Sequence, residues 1–188
     1  MSPLPIGIQD FAEVITNGYL YVDKTRNIFD LVQPRKGYYF LSRPRRFGKS
    51  LLISTLEEIF SGNRGLFKGL WIEEQSQYAW PKHPVIRIDF SKLSSSDPKL
   101  LEKDLRGRMQ AIARDYQVNL NSEDTIVANT GNLIEELHRK TGERVVILID
   151  EYDSPISTTL MSPRRTVNYW RSFTAQLRRA MSTCDLCF

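Results

Sequence analysis

The chain has 188 residues, of which 41% are hydrophobic and 26% are charged, an ordinary globular composition. This length allows one substantial core and is short for two ordinary domains, so we expect a single domain over residues 1–188. No apolar run is long enough to span a membrane, the segment Met1–Pro5 lacks the features of a signal peptide, and Cys184 and Cys187 are the only cysteines. These observations argue against a membrane partner and against a disulfide framework, and they favour the cytoplasm.

The net charge of +4 comes from the C-terminal part of the chain. Residues 1–153 contain 21 Lys or Arg and 21 Asp or Glu, whereas the residues from Ser154 onward contain five arginines and one acid, Asp185. Such a basic segment is typical of contact with nucleotide or nucleic-acid phosphates, but it is more often a solvated helix face.

Hydrophobic periodicity predicts alternating strands and helices. In chain order we first expect a strand at Tyr38–Ser42, a helix at Leu51–Phe60 stopped by Gly62, and a strand at Val85–Phe90. Next come a helix from Pro98 (N-cap Asp97) to about Tyr116, a helix from about Glu123 to Lys140 ending at Gly142, and a buried strand at Arg144–Asp150. The last element is a helix from Pro163 to about Met181 that carries Arg164, Arg171 and Arg178 on one face. The apolar stretch Phe67–Ile72 is too short to assign.

Strands separated by helices of this length pair in parallel, so the order predicts an α/β sandwich with a mainly parallel sheet. Ligands of such folds bind at the carboxyl ends of the strands. The loop after Ser42 leaves one predicted strand end, and Asp150 and Glu151 leave another.

The stretch SRPRRFGKS ends like a phosphate-binding P-loop. In such a loop, backbone N–H groups surround the phosphates at the positive end of a helix, a lysine reaches the terminal phosphates, and a hydroxyl binds Mg²⁺. Gly48, Lys49 and Ser50 supply these parts between a predicted strand and a predicted helix. Arg43 stands where the first glycine of the motif is expected, and Pro44 removes one N–H group but can impose a turn of its own.

The stretch VVILIDEYD has the form of a Walker B strand. An acid just beyond a buried strand can orient the water shell of Mg²⁺, and the next acid can activate the attacking water. The simpler alternative is that Asp150, Glu151 and Asp153 begin a polar turn before Pro155. The two motifs stand in the expected order and about a hundred residues apart, which favours a nucleotide site.

Several stretches also carry a family resemblance: LPIGIQDF, YLYVDKT, YYFLSRPRRFGKSLLISTL, LFKGL and VVILIDEYDSPI. They resemble the AAA-ATPase-like family over nearly the whole chain, and SRPRRFGKS is that family's own variant of the Walker A loop. The resemblance implies a three-layer P-loop ATPase core that binds ATP and Mg²⁺. It implies that Lys49 and Ser50 contact phosphate and Mg²⁺, that Asp150 contacts Mg²⁺, that Glu151 is the catalytic base, and that Tyr21–Thr25 lie near the nucleotide. The nucleotide-binding residues expected on this basis are Arg45, Arg46, Phe47, Gly48, Lys49, Ser50 and Leu51.

Members of that family are usually longer, and many carry a C-terminal domain that resembles PD-(D/E)XK nucleases, which implies a nucleic-acid partner. In additional-strand P-loop ATPases, a strand with a polar sensor residue lies between the Walker A and Walker B strands. This chain stops about where that strand begins, which suggests a truncated product. The sheet would then lack its central strand unless Leu186–Phe188 fill the position.

The other residues that could bind a metal or take part in catalysis are better explained by structural roles. Cys184-x-x-Cys187 lacks the further ligands of a zinc site, His83 fits a loop, and His138 fits a helix C-terminus. Asp89 either faces the nucleotide or caps a turn with Ser91. We expect the side chains of Arg164 and Arg165 to be solvated. The three tryptophans, Trp71, Trp80 and Trp170, are expected to pack in apolar surroundings.

The function that we expect is binding of ATP with Mg²⁺ and, in a complete protein, hydrolysis of ATP by water that Glu151 polarises. One alternative is a nucleotide-sensing module without catalysis. Another is a nucleic-acid-binding domain that uses the arginine-rich last helix.

Overall fold

The computed structural model describes residues 2–33, 37–44, 46–93, 98–151 and the backbone of 186–187. Its elements, in chain order, are α1 (Phe11–Thr16), α2 (Thr25–Val32), β1 (Gly37–Tyr38), α3 (Lys49–Phe60), a 3₁₀ turn (Arg64–Phe67), α4 (Trp71–Glu74), β2 (Val85–Asp89), a second 3₁₀ turn (Phe90–Lys92), α5 (Pro98–Asp115), α6 (Ile126–Thr141), β3 (Val146–Asp150) and β4 (Leu186–Cys187). Within this part of the chain, no helix combines the length and the apolar character needed to cross a membrane.

The strands form one parallel sheet in the order β1-β4-β3-β2. The α/β class with a parallel sheet is therefore confirmed. β4 lies between β1 and β3, so the gap expected at the centre of the sheet is filled by Leu186 and Cys187. The predicted strand Tyr38–Ser42 was too long: β1 consists of Gly37 and Tyr38, which pair with Leu186 and Cys187, and residues 39–42 belong to no strand.

Helices cover both faces of the sheet. Successive side chains of a strand point to opposite faces, and along β3 Ile147 packs against α5 and α6, whereas Val146 and Leu148 pack against α3 and the N-terminal helices. β3 is therefore buried on both sides, as its continuous apolar sequence predicts.

The ends of the long helices depend on specific capping residues. Gly142, with φ +69°, ends α6, as predicted, and Gly62, with φ +74°, follows the last turn of α3. The predicted start of α6 near Glu123 was too early, because Thr125 Oγ1 accepts a hydrogen bond from the N–H of Ala128 at 3.2 Å and caps the helix there.

The sequence analysis did not predict α1 and α2, which have 6 and 8 residues. The unassigned stretch Phe67–Ile72 contains the end of one 3₁₀ turn and the start of α4. Other predictions concern residues outside the described part of the chain: the N-cap Asp97, the helix from Pro163 with its arginines, Trp170, and Cys184.

Candidate nucleotide site

Helix α3 begins directly after a turn that glycine adopts readily. Gly48 is the N-cap residue, with φ +75°, and it has no side chain with which to cap the helix. The first N–H groups of an α-helix lack partners within the helix, and in α3 these include those of Lys49, Ser50 and Leu51. Together with the helix dipole, they favour an anion at this end of α3.

The lysine of the loop folds back over the loop itself. Lys49 Nζ donates a hydrogen bond to the carbonyl oxygen of Arg43 at 3.1 Å. Arg46 has φ +66°, which is uncommon for a residue other than glycine, and strained residues of this kind concentrate at functional sites. Arg43 and Arg46 are exposed, so their charges are accessible to a ligand.

The remaining predicted loop residues differ in exposure. Phe47 is 68% exposed, whereas Ser50 is half-buried in the first turn of α3. Leu51 packs its side chain against the core cluster around α3, so only its backbone faces the loop. Arg45 lies outside the described residues.

Asp150 is a buried carboxylate at the carboxyl end of β3. It is 4% exposed, and its Oδ1 accepts a hydrogen bond from the N–H of Glu151 at 3.0 Å. Among the described residues, no Lys, Arg or His lies within ion-pair distance of it. A buried carboxylate is costly unless a cation compensates it. Glu151 is half-buried and has φ +50°, so the chain turns sharply where β3 ends.

Helix α3 brings its N-terminus to the same edge of the sheet as Asp150. At its other end, the carbonyl oxygen of Phe60 accepts a hydrogen bond at 2.7 Å from the N–H of His83, which precedes β2. Midway, Glu57 Oε2 pairs with Arg87 Nη1 at 2.6 Å. The helix therefore runs antiparallel to the strands, and Gly48 lies towards their carboxyl ends. Asp150 lies on the α3 side of the sheet, because it shares a face of β3 with Val146 and Leu148, which pack against α3. Ile147 and Ile149 point to the other face.

The structure adds one acid at this edge, Asp89. The residue pairs in register with Asp150 at the ends of β2 and β3. Asp89 Oδ1 accepts hydrogen bonds from the N–H and the hydroxyl of Ser91 at 3.0 and 2.6 Å, and Lys92 Nζ lies 3.3 Å from Oδ2. Burial raises the pKa of Asp89, but the contacts with Ser91 and Lys92 outweigh it and the net pKa is lowered. Asp89 therefore caps the turn with Ser91, as one of the two interpretations from the sequence has it. The other interpretation, that Asp89 faces a nucleotide, stays a prediction, although the residue lies at the predicted ligand edge.

The YVDKT stretch connects the start of α2 to the start of α4 through hydrogen bonds. Asp23 accepts hydrogen bonds from the N–H groups of Thr25 at 2.8 Å and Trp71 at 2.7 Å, and Thr25 Oγ1 accepts one from the N–H of Ile72 at 3.0 Å. Burial opposes ionisation of Asp23, but these N–H groups outweigh it and lower its pKa. The stretch thus caps α4 and joins it to the start of α2.

The LPIGIQDF stretch and Tyr21 support α3 one turn beyond the loop. The buried N–H of Phe11 donates to Ser54 Oγ at 2.9 Å, and Ser54 Oγ donates to Asp10 at 3.5 Å. Burial raises the pKa of the Tyr21 hydroxyl, which hydrogen-bonds Thr55. No periodicity in the sequence signals these contacts, because they join residues more than thirty positions apart.

A cavity of about 870 Å³ opens at the opposite, amino edge of the sheet. Its walls include Trp71, Tyr78, His83 and Arg144, and burial raises the pKa of Tyr78 to about 12. None of the predicted site residues is among its described lining residues. The cavity is therefore separate from the edge that carries Lys49 and Asp150.

The described side chains do not form a preassembled metal site. In this part of the chain, no group of three or more His, Cys, Asp or Glu side chains is arranged to hold a metal ion. The Ser50 hydroxyl and the Asp150 carboxylate, which no described cation compensates, nevertheless fit Mg²⁺, which takes oxygen ligands and is usually bound by one or two carboxylates together with substrate phosphates.

Comparisons with known proteins show the family to which the chain belongs. The model of a family described as "Predicted AAA-ATPase" matches residues 5–188. An uncharacterized protein in the vnfD 5′ region of Azotobacter chroococcum mcd 1 is 42% identical over 164 residues, which cover 85% of this chain and 31% of that protein. The chain thus spans about a third of the length of the curated relative that it matches. No solved structure is significantly similar to it. The chain belongs to the AAA-ATPase-like family of predicted AAA-ATPases.

Proposed function

We propose that the chain binds ATP with Mg²⁺ at the carboxyl edge of the sheet and hydrolyses it there, within a P-loop ATPase-like fold. The observation that carries the proposal is the placement of the α3 N-terminus and the buried Asp150 on one face and at one edge of the sheet. Membership of a predicted ATPase family supports a nucleotide as the ligand. The strand order, with β4 between β1 and β3, supports the additional-strand arrangement.

The triphosphate would bind in front of α3. The N–H groups of Lys49, Ser50 and Leu51 donate to phosphate oxygens, and the dipole of α3 favours their negative charge. Lys49 then exchanges its hydrogen bond with the Arg43 carbonyl for a phosphate oxygen. Arg46, exposed beside the same turn, adds a second positive charge.

The Ser50 hydroxyl and the Asp150 carboxylate would hold Mg²⁺. When bound, the ion supplies neutralisation of the charge that develops on the phosphate oxygens. Binding of a cation would also compensate the Asp150 carboxylate, which is buried without a cationic partner among the described residues.

Glu151 would act as the general base. It follows Asp150 directly, and its φ of +50° redirects the chain at the strand end. In this role its carboxylate accepts a proton from the water that attacks the γ-phosphorus in line, and the bond between that phosphorus and the β–γ bridging oxygen breaks.

Binding of a fluorescent ATP analogue to the 188-residue chain tests the phosphate site. We expect micromolar binding that is lost in Lys49→Ala, because the lysine of such a loop is the group that reaches the terminal phosphates. Lys103→Ala is the matched control, since Lys103 is an exposed lysine on α5. Equal binding by Lys49→Ala and Lys103→Ala would contradict the proposal.

Hydrolysis is tested separately, by phosphate release in the presence of Mg²⁺. We expect Glu151→Gln to lower the rate by about a hundredfold or more while the nucleotide still binds. Binding without turnover in the unchanged chain would favour the nucleotide-sensing module instead. Affinity for nucleic acid that falls with salt and ignores Lys49→Ala would favour the nucleic-acid-binding alternative.

A further inference from the structure

Asp89 and Asp150 lie side by side at the carboxyl edge of the sheet. They are Cα partners at the last positions of β2 and β3, and adjacent strands are about 4.8 Å apart. Residues paired in this way direct their side chains to the same face of the sheet. For both aspartates this is the face on which α3 packs, since Arg87, two residues before Asp89, pairs with Glu57 of α3.

The carboxylate of Asp89 is held in place by contacts with Ser91 and Lys92. Both donor groups of Ser91 bond Oδ1, and Lys92 lies beside Oδ2. Lys92 is itself 77% exposed, so water weakens its attraction for Asp89. The side chain of Asp89 is 16% exposed and is therefore accessible to a small ligand.

The neighbouring Asp150 has no cationic partner among the described residues. Asp150 is 4% exposed, and its one described hydrogen bond comes from the next residue along the chain. Neither Lys92 nor Arg87 lies within ion-pair distance of it. Two neighbouring carboxylates, one of them buried without a counter-charge among the described residues, favour a divalent cation.

We infer that Asp89 is a second carboxylate of the Mg²⁺ site, where it accepts a hydrogen bond from a water molecule of the metal shell. The inference rests on the proposed function. Mg²⁺ usually keeps several of its waters in such sites, and Asp89 stands one strand away from Asp150. Its hydrogen bonds with Ser91 fix the carboxylate in that position.

The test is a Mg²⁺ titration of the binding of a fluorescent ATP analogue to the 188-residue chain. In Asp89→Asn we expect the Mg²⁺ concentration for the half-maximal effect to rise about tenfold, the cost typical of losing an outer ligand-shell partner. Binding without Mg²⁺ should stay equal or become tighter, because a negative charge near the phosphates is removed. The amide oxygen of asparagine can still accept the bonds from Ser91, so the turn is preserved.

Two further variants calibrate the titration. Asp115→Asn removes the same charge from an exposed position at the end of α5 and should leave the Mg²⁺ dependence unchanged. Asp150→Asn should raise the required Mg²⁺ concentration at least as much as Asp89→Asn does.

The outcomes separate this inference from the proposed function. If Asp89→Asn weakens binding equally with and without Mg²⁺, the residue is only structural and the inference is wrong. If Asp89→Asn behaves like Asp115→Asn while Lys49→Ala loses binding, the inference alone fails. If Lys49→Ala binds the analogue normally, the proposed function fails, and the inference fails with it.

Discussion

Gly48 and Gly107 have the same side chain but opposite conformational requirements. Gly48 has φ +75° at the start of α3, whereas Gly107 lies inside α5. Apart from the chain neighbours and the backbone of the same helix turn, no described atom lies within 4 Å of an added Cβ at either position. A left-handed conformation costs an L-residue about 1–2 kcal/mol, whereas glycine inside a helix is less stable than alanine by about 0.5–1 kcal/mol. Backbone conformation, and not space, therefore decides the effect of a substitution here.

We expect Gly48→Ala to lower the free energy of unfolding by about 1 kcal/mol and Gly107→Ala to raise it by about 0.5–1 kcal/mol. Gly48→Ala should also weaken nucleotide binding, because relief of the strain moves the N–H groups at the start of α3. Urea unfolding and analogue binding measure the two effects. A stabilised Gly48→Ala would show that the turn is not left-handed.

His83 joins α3, β2 and β3 at the amino edge of the sheet. Its N–H donates to Phe60, and its Nδ1 lies 3.1 Å from the carbonyl oxygen of Arg144. Burial lowers the pKa of His83, and the Arg144 carbonyl and the Glu143 carboxylate, 3.7 Å away, oppose this only in part. The folded chain therefore prefers the neutral imidazole more than the unfolded chain does.

The folded-state pKa lies below the unfolded value of about 6.5, so stability is full above that pH and is lost as pH falls through the folded pKa. We expect the unfolding free energy to decrease as the pH falls below about 6.5, and His83→Asn to flatten this decrease. His138→Asn, which changes the only other histidine, is the control. Equal slopes in the unchanged chain and in His83→Asn would contradict the assignment.

At the scale of elements, Asp23 stabilises short helices that would not form alone. α4 has 4 residues and α2 has 8, and isolated helices of such lengths are unstable in water. The two carboxylate oxygens of Asp23 bind one N–H group from each helix, those of Thr25 and Trp71. Tertiary capping thus replaces the intrinsic helix stability that these segments lack.

We expect Asp23→Asn to lower the free energy of unfolding by about 1 kcal/mol, because an amide has one acceptor oxygen where the carboxylate has two. Asp30→Asn, at an exposed position of α2, should change it by less than about 0.5 kcal/mol. Since the pKa of Asp23 is lowered, its contribution should decrease as the pH falls below about 3.9. Chemical unfolding at neutral and acidic pH checks both statements.

The outer edge of β2 is protected by Arg108 of α5 and by Tyr116, the residue that follows α5. Tyr116 Oη accepts the N–H of Val85 at 3.2 Å, and Arg108 Nε donates to the carbonyl oxygen of Arg87 at 3.1 Å. These bonds occupy backbone groups that an edge strand would otherwise offer to another chain. α5 thus covers one face of the sheet, and it and Tyr116 bond two outward-facing backbone groups of β2.

At the scale of the whole molecule, β3 is the strand on which both hydrophobic clusters depend. Ile147 and Leu148 are at most 1% exposed, yet they belong to different clusters on opposite faces of the sheet. If helices covered only one face of the sheet, only one of these two side chains would be buried. The burial of both therefore requires helices on both faces.

We expect Ile147→Ala and Leu148→Ala each to lower the free energy of unfolding by about 3 kcal/mol. Leu100→Ala, on α5 at a position 44% exposed, should cost less than about 1 kcal/mol. Urea denaturation of the three variants measures the difference. If one of the β3 variants is as stable as Leu100→Ala, the face on which it lies is not packed as described.

The sequence by itself determined the elements with clear local patterns, α3, α5, α6, β2 and β3, and the positions of the loop and strand-end motifs. A local pattern suffices for these, because helix and strand periodicity appear in consecutive residues. Tertiary structure alone decided the capping role of Asp23, the position of β4 and the pairing of Asp89 with Asp150. Each of these depends on contacts between residues far apart in the chain, whose register is set by packing across the whole sheet.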